Sequence, residues 1–178
     1  MSLFRIQLYG SPVLSHKTAN VKALIPPDFS KIIDDMFETM YADNGIGLSA
    51  NQVGIPLDFF IADFSLKDEN GKKMVFINPE ILERQGEVVA EEGCLSIPEI
   101  YADVTRAEKV KVRYEDVERN VHVEEFSGYF ARVVQHETDH LNGIYIVDRI
   151  SQLKRSFIAS KLKRMAADAK KGITIQVG

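Results

Sequence analysis

The segment Gln135-His136-Glu137-Thr138-Asp139-His140-Leu141-Asn142-Gly143 decides how this chain is read. It contains His-Glu-x-x-His, and on a helix residues four apart are offset by only ~40° around the axis and ~6 Å along it. His136 and His140 therefore share one face, where both imidazoles can ligate one metal ion. Glu137 projects beside them, within reach of a water on that ion. Such a helix needs a buried opposite face, and Tyr129, Phe130, Val133, Val134 and Leu141 supply the apolar stripe. The helix is predicted to start near Ser127, and Gly143 sits where a C-terminal cap is wanted. Three polar residues beside such a stripe are expensive to bury without a partner, which favours the metal over chance.

The flanking pattern predicts an α+β fold, with antiparallel or mixed β-sheets around this central helix and with N-terminal and C-terminal helices. Phe29, Ile32, Ile33, Met36, Phe37 and Met40 recur at helical spacing after a start at Pro26-Pro27-Asp28, and the turn Asn44-Gly45 ends that helix. Leu57 to Phe64 reads as a strand, and Met74 to Ile77 as another, short one ahead of Asn78-Pro79. Val110, Val112 and Tyr114 alternate with basic residues, and Val121 and Val123 alternate with Asn120, His122 and Glu124. These runs predict a hairpin around Asp116 to Glu118, with His122 facing outward. A last helix, roughly Gln152 to Lys171, is expected to pack Leu153, Phe157, Ile158, Leu162 and Met165 inward. Lys154, Arg155, Lys161, Lys163, Arg164, Lys170 and Lys171 then read as its wet side.

A length of 178 residues predicts one domain over residues 1–178. Its 45% hydrophobic and 27% charged residues are ordinary for a soluble globular protein. A net charge of −4 argues against a nucleic-acid binder. There is no apolar run long enough to cross a membrane and no signal-peptide pattern. The single cysteine, Cys94, cannot form an internal disulfide, so a reducing, cytoplasmic setting is expected, with an organelle left open.

The third metal ligand sets the class. The string through Gly143 follows the metzincin pattern, but that pattern's next ligand falls on Ile146, whose aliphatic side chain cannot coordinate. Asp148 and Asp168 are poorly placed to serve as a downstream carboxylate. Cys94, in Glu92-Gly93-Cys94-Leu95-Ser96, suits better. A thiolate with two neutral imidazoles leaves a divalent ion with a net charge of about +1 and one open position. A lone cysteine is ordinarily a small buried hydrophobe; beside a two-histidine site lacking a ligand, the reading reverses. Gly93 lets the backbone come close. His16 and His122 read as surface residues. Gly45-Ile46-Gly47-Leu48-Ser49-Ala50-Asn51-Gln52 is a tight segment that lacks the Gly-Lys-Ser/Thr of a phosphate loop. Its Gln52 amide could stabilise a developing oxyanion near a metal. Two competing readings are a zinc endopeptidase and a structural metal clamp, although the clamp would want a fourth protein ligand that no motif offers.

Taken in order, these three segments resemble the peptide deformylases, and Ile97-Pro98 through Arg106-Ala107-Glu108-Lys109-Val110 is similar to the stretch after that family's cysteine motif. One departure is Ser49, where the family usually has the first of two alanines; its hydroxyl needs a hydrogen-bond partner at a packed site. The resemblance implies hydrolysis of N-formyl-methionyl peptides to formate and a free amino terminus. It implies that Cys94, His136 and His140 hold one divalent ion, Fe(II) natively, with Zn(II), Ni(II) or Co(II) as substitutes. Glu137 would move the proton, and Gln52 with the Leu95 backbone N–H would bind the oxyanion. Gly45, Ile46 and Gly47 would lie along an extended peptide, and Tyr129 and Val133 are candidates for the methionine pocket, though they serve equally well as core. Arg106 and Glu92 are expected to pair beside the site. The partners implied are the formylated peptides and a transient encounter with the ribosome near the exit tunnel, with no specific nucleic acid and no membrane.

Overall fold

A computed structural model describes residues 3–22 and 28–177. Pro26 and Pro27, expected to start the first long helix, lie outside the described residues. The chain runs β1 (Arg5–Gln7), a short helix α1 (Pro12–Ser15), α2 (Phe29–Ala42), β2 (Gly47–Ser49), β3 (Phe59–Asp63) and β4 (Lys73–Gln85). It continues with β5 (Val88–Cys94), β6 (Ile97–Arg106), β7 (Lys109–Glu115), β8 (Val121–Ser127), α3 (Gly128–Leu141), α4 (Gln152–Lys170) and β9 (Thr174–Gln176). A five-stranded antiparallel sheet has the order β2-β3-β4-β7-β8, and two further antiparallel pairs, β5-β6 and β1-β9, flank it. This is the α+β class expected, with the His-Glu-x-x-His segment on α3.

β3 explains how the two long helices share one sheet. All five of its residues are buried, because the strand is covered on both faces. Side chains alternate across a strand, so Phe59 and Ile61 join Ile33, Met36 and Met40 of α2 in one core. Phe60 and Ala62 join Ala131, Val134 and Leu141 of α3 in another, with Phe76, Tyr114 and Phe126. α3 is thereby clamped against the sheet, and its candidate metal ligands are carried on a rigid wall.

Four expectations need correction. β4 does not stop at Asn78-Pro79 but continues to Gln85, with a register shift between Ile77 and Glu80 that takes Pro79 out of the ladder. Asn78 adopts a left-handed φ of +50° there, and its amide closes on the backbone of Val21 at 2.8 and 3.0 Å. In β8 the inward and outward faces are reversed. The register His122↔Tyr114 and Phe126↔Val110 puts the even-numbered residues on the buried face of β7, leaving Val121 and Val123 half exposed. His122 consequently stacks on Tyr114 and meets Asp116 at 2.7 Å. In α4 only Leu162 is buried, supported by Ile158 and Met165; Leu153 and Phe157 are 69% and 78% exposed. Those two lie roughly 100–140° around the axis from the packed stripe. Finally, Tyr129 of α3 is half exposed and belongs to no core.

Candidate metal centre and active-site cleft

The geometry of the site begins with how α3 is held. The Gln135 side chain reads both backbone groups of Ala107, donating to its carbonyl at 2.9 Å and accepting from its N–H at 3.1 Å. At the other end Asp139 accepts from Arg106 and from Arg149. The helix cannot slide against β6 and β7 without leaving these buried groups unpaired, at ~1–3 kcal/mol each.

Cys94 ends β5, where the hairpin turns through Leu95 and Ser96 into β6, and the pairing is irregular between Gly93 and Cys94. This turn aims Sγ at α3. Sγ lies 3.1 Å from His140 Nε2, which lies 3.2 Å from His136 Nε2. All three ligand atoms fall within 4.8 Å of one another, and among the described residues no other such group was found. Two imidazole lone pairs and a sulfur facing each other this closely repel unless a proton or a cation is shared. Burial pushes His140 well below its ordinary value, toward the neutral form. Burial also lowers His136, but its bonds to Cys94 and Glu92 outweigh this and hold it well above, so the ion-free cluster keeps a proton on His136 in the place a cation would take. The donor set S, N, N therefore fits a divalent ion.

Glu92, buried on β5, fixes the orientation of His136. Its carboxylate accepts from Arg106 at 2.7 and 2.9 Å, from Arg132 at 2.6 Å, and faces His136 Nδ1 at 3.0 Å. With Nδ1–H donated to Glu92, Nε2 is left free to hold a metal ion. Burial raises the Glu92 carboxyl, but the Arg106 hydrogen bonds and His136 outweigh it and hold the group well below the carboxylate range.

Glu137 points into the same space. It is buried, and its Oε2 has no hydrogen-bond partner among the described residues. Burial pushes its carboxyl up to about 7, with His136 and Arg106 opposing the rise. β2 runs alongside, and a Cβ on Gly47 would stand 2.6 Å from Glu137 Oε1, so only glycine allows this approach. Beyond β2, Gln52 sits in a one-turn 3-10 helix (Ala50–Val53) with its Nε2 3.6 Å from Cys94 Sγ and 3.2 Å from Ser96 Oγ. A cleft of about 520 Å³ opens here, lined by Gly45, Ile46, Gly47, Gln52, Cys94, Leu95, Tyr129, Val133, His136 and Glu137. His140 lies behind it, 1% exposed.

The sequence model of the polypeptide deformylase family matches residues 3–156. The chain belongs to the polypeptide deformylase family. It is 46% identical to the peptide deformylase of Thermotoga maritima over 170 residues, covering 95% of this chain and all of the relative. The peptide deformylase structure from Thermus thermophilus superposes with a TM-score of 0.85 at 38% identity, over 94% of this chain and 99% of that one. A plant peptide deformylase gives 0.87 at 31% identity, over 100% and 98%.

Several residues that shape this deformylase-family site carried no assigned role in the sequence reading. Arg132, Asp139 and Arg149 extend the Glu92–Arg106 pair into a buried network, and Asn51 donates to the His140 carbonyl at 2.5 Å. Arg132 and Asp139 carried a legible signal: both are charged residues on a helix whose stripe demanded burial, so each required a partner. Asn51 carried none. No helix among the described residues is long and apolar enough to cross a membrane.

Proposed function

We propose that the chain, working as a single catalytic domain over residues 1–178, hydrolyses the formyl group from N-formyl-methionyl peptides. The formyl C–N bond breaks, a water oxygen joins the formyl carbon, and formate leaves a free amino terminus. The observation that carries this reading is the convergence of Cys94, His136 and His140 beside Glu137, whose Oε2 has no partner among the described residues, in a chain of the deformylase family.

Cys94, His136 and His140 would hold one divalent ion. That ion, when bound, supplies Lewis-acid activation of water and of the carbonyl. Glu137 takes a proton from the attacking water and returns it to the departing amine; a carboxyl raised to about 7 suits both directions near neutral pH. Gln52 Nε2 and the Leu95 N–H stabilise the oxyanion, each such donor being worth roughly 3 kcal/mol in the transition state. The peptide lies extended along Gly45, Ile46 and Gly47, and the methionine side chain rests against Val133 and Tyr129. The half exposure of Tyr129 at the cleft favours a wall over a core role.

Fe(II) is the native ion in this reading, with Zn(II), Ni(II) and Co(II) as substitutes. The substrate is met as a nascent chain, so the encounter with the ribosome is transient and close to the exit tunnel. The lone thiol supports a cytoplasmic setting. The test is an anaerobic assay on formyl-Met and acetyl-Met peptides, with metal analysis of the same preparation. Only the formyl peptide should turn over, and Glu137→Gln should abolish turnover while metal content holds. Full activity in that variant, or cleavage of internal peptide bonds, would sink the reading.

A further inference from the structure

Ser49, the residue that departs from the family pattern, lies at the end of β2 and is fully buried. Its hydroxyl has one proton and two acceptors, Asn51 Oδ1 and Gln52 Oε1, each at 2.9 Å. Its backbone N–H also donates to Gln52 Oε1, at 3.0 Å, and the two residues form a capping box around the 3-10 turn. The side-chain oxygen of Gln52 thus faces two donors of one residue: a flip would set its NH₂ against the Ser49 N–H, and the hydroxyl, whose single proton is shared with Asn51 Oδ1, adds to the bond that holds the oxygen inward. A flipped amide would present oxygen, not N–H, to the cleft. Asn51 closes the arrangement from behind, since its Nδ2 donates to the backbone carbonyl of His140 on α3.

We propose that Ser49 is a positioning residue for deformylation, its hydroxyl fixing the Gln52 amide in the donor orientation and tying it through Asn51 to the helix that bears the histidines. The inference rests on the proposed function, in which Gln52 binds the oxyanion. The backbone of Ser49 also hydrogen-bonds the Glu137 carboxylate, but its hydroxyl touches no reacting atom, so the effect of removing the hydroxyl passes through Gln52.

A double-mutant cycle tests this. Ser49→Ala restores the residue the family usually carries and leaves the backbone hydrogen bond in place, so the fold is not at risk. In the otherwise native enzyme it should lower kcat about fivefold, the worth of one hydrogen bond, with KM within twofold and metal content unchanged. Gln52→Ala should lower kcat by about 10²- to 10³-fold, and adding Ser49→Ala to it should cost nothing more. In the metal-free protein, the Gln52 side-chain NH₂ resonances should be sharp and distinct, and should broaden or merge in Ser49→Ala. The inference is overturned by an equal loss in both backgrounds, by no loss in either, by a rise in KM alone, by loss of metal in Ser49→Ala, or by unaltered Gln52 resonances. Native kcat in Gln52→Ala is a different failure, that of the oxyanion role itself.

Discussion

Gly47→Ala should cripple turnover while leaving the fold intact. The methyl group would stand 2.6 Å from Glu137 Oε1, 2.9 Å from Cγ and 3.0 Å from Cδ, where ordinary contact begins at 3.4 Å. The carboxylate must therefore retreat by about 0.8 Å, the difference between 3.4 and 2.6 Å. Misplacing a reacting group by ~1 Å costs roughly 10²-fold in rate, which corresponds to about 2.7 kcal/mol of transition-state stabilisation. The backbone itself is not strained, since Gly47 lies in an ordinary strand and has no left-handed φ. The clash is with a side chain, so melting should shift by only a few degrees. The assay is kcat and KM on a formyl-Met peptide under anaerobic conditions, with metal content and Tm measured on the same sample. A drop of about 100-fold in kcat at unchanged metal content and near-native Tm is expected, with no further drop when Gly47→Ala is added to Glu137→Gln. Activity within twofold of native, or activity lost because metal is lost, would refute the argument that this glycine makes room for the base.

Glu92→Gln should lower metal affinity by about 10- to 100-fold through His136 and destabilise the fold by roughly 3–5 kcal/mol, since Arg106 and Arg132 lose a buried partner. The depressed Glu92 carboxyl contributes stability that is complete above its ordinary value of 4.5 and is lost as pH falls below it. Denaturant titrations between pH 7 and pH 3 should therefore show a shallower acid decline in the variant; an unchanged slope would contradict the assignment. Stripping the ion with a chelator should lower Tm, and each divalent ion added back should raise it again, adding about 2.7 kcal/mol of stability at a hundredfold excess over Kd. Leu153→Ser and Phe157→Ser should each change stability by less than ~0.5 kcal/mol, because both side chains are exposed on α4. A loss of 2 kcal/mol or more in either would reinstate the inward packing that helical spacing suggested.

What could be read from the residues alone was whatever local periodicity determines. The α3 stripe, the α2 stripe and the alternation of β7 are each set by one face needing burial, and the histidine spacing is helix geometry. The failures depend on how the chain is paired and packed, which local periodicity does not determine. Val121 and Val123 alternate as inward residues should, yet the tight turn held by Asp116 hydrogen bonds fixes a register that sends Glu124 and His122 toward Tyr114 instead. Pro79 ordinarily ends a strand, and only the pairing with β7 beyond it shows that a bulge carries β4 through. The Glu92–Arg106 pair is expected from the family resemblance, but nothing local in β5 shows that Arg132 and His136 also close on Glu92. The candidate ligands were visible as residue types; the hydrogen bonds that aim them were not.

The pairing of β1 with β9 bears on the order in which the molecule assembles. Arg5 reaches Thr174 across 169 residues, and Ile175 of β9 both packs on the α2 core and lines the cleft. Closing so long a loop carries a large entropic cost that nearby contacts do not share. The hairpins can form first, from neighbouring stretches of chain, and Cys94 meets His140 across a separation of only 46 residues. The cleft thus gains one of its walls from the slowest encounter in the fold, and a refolding molecule should hold its metal ligands before it holds a peptide well.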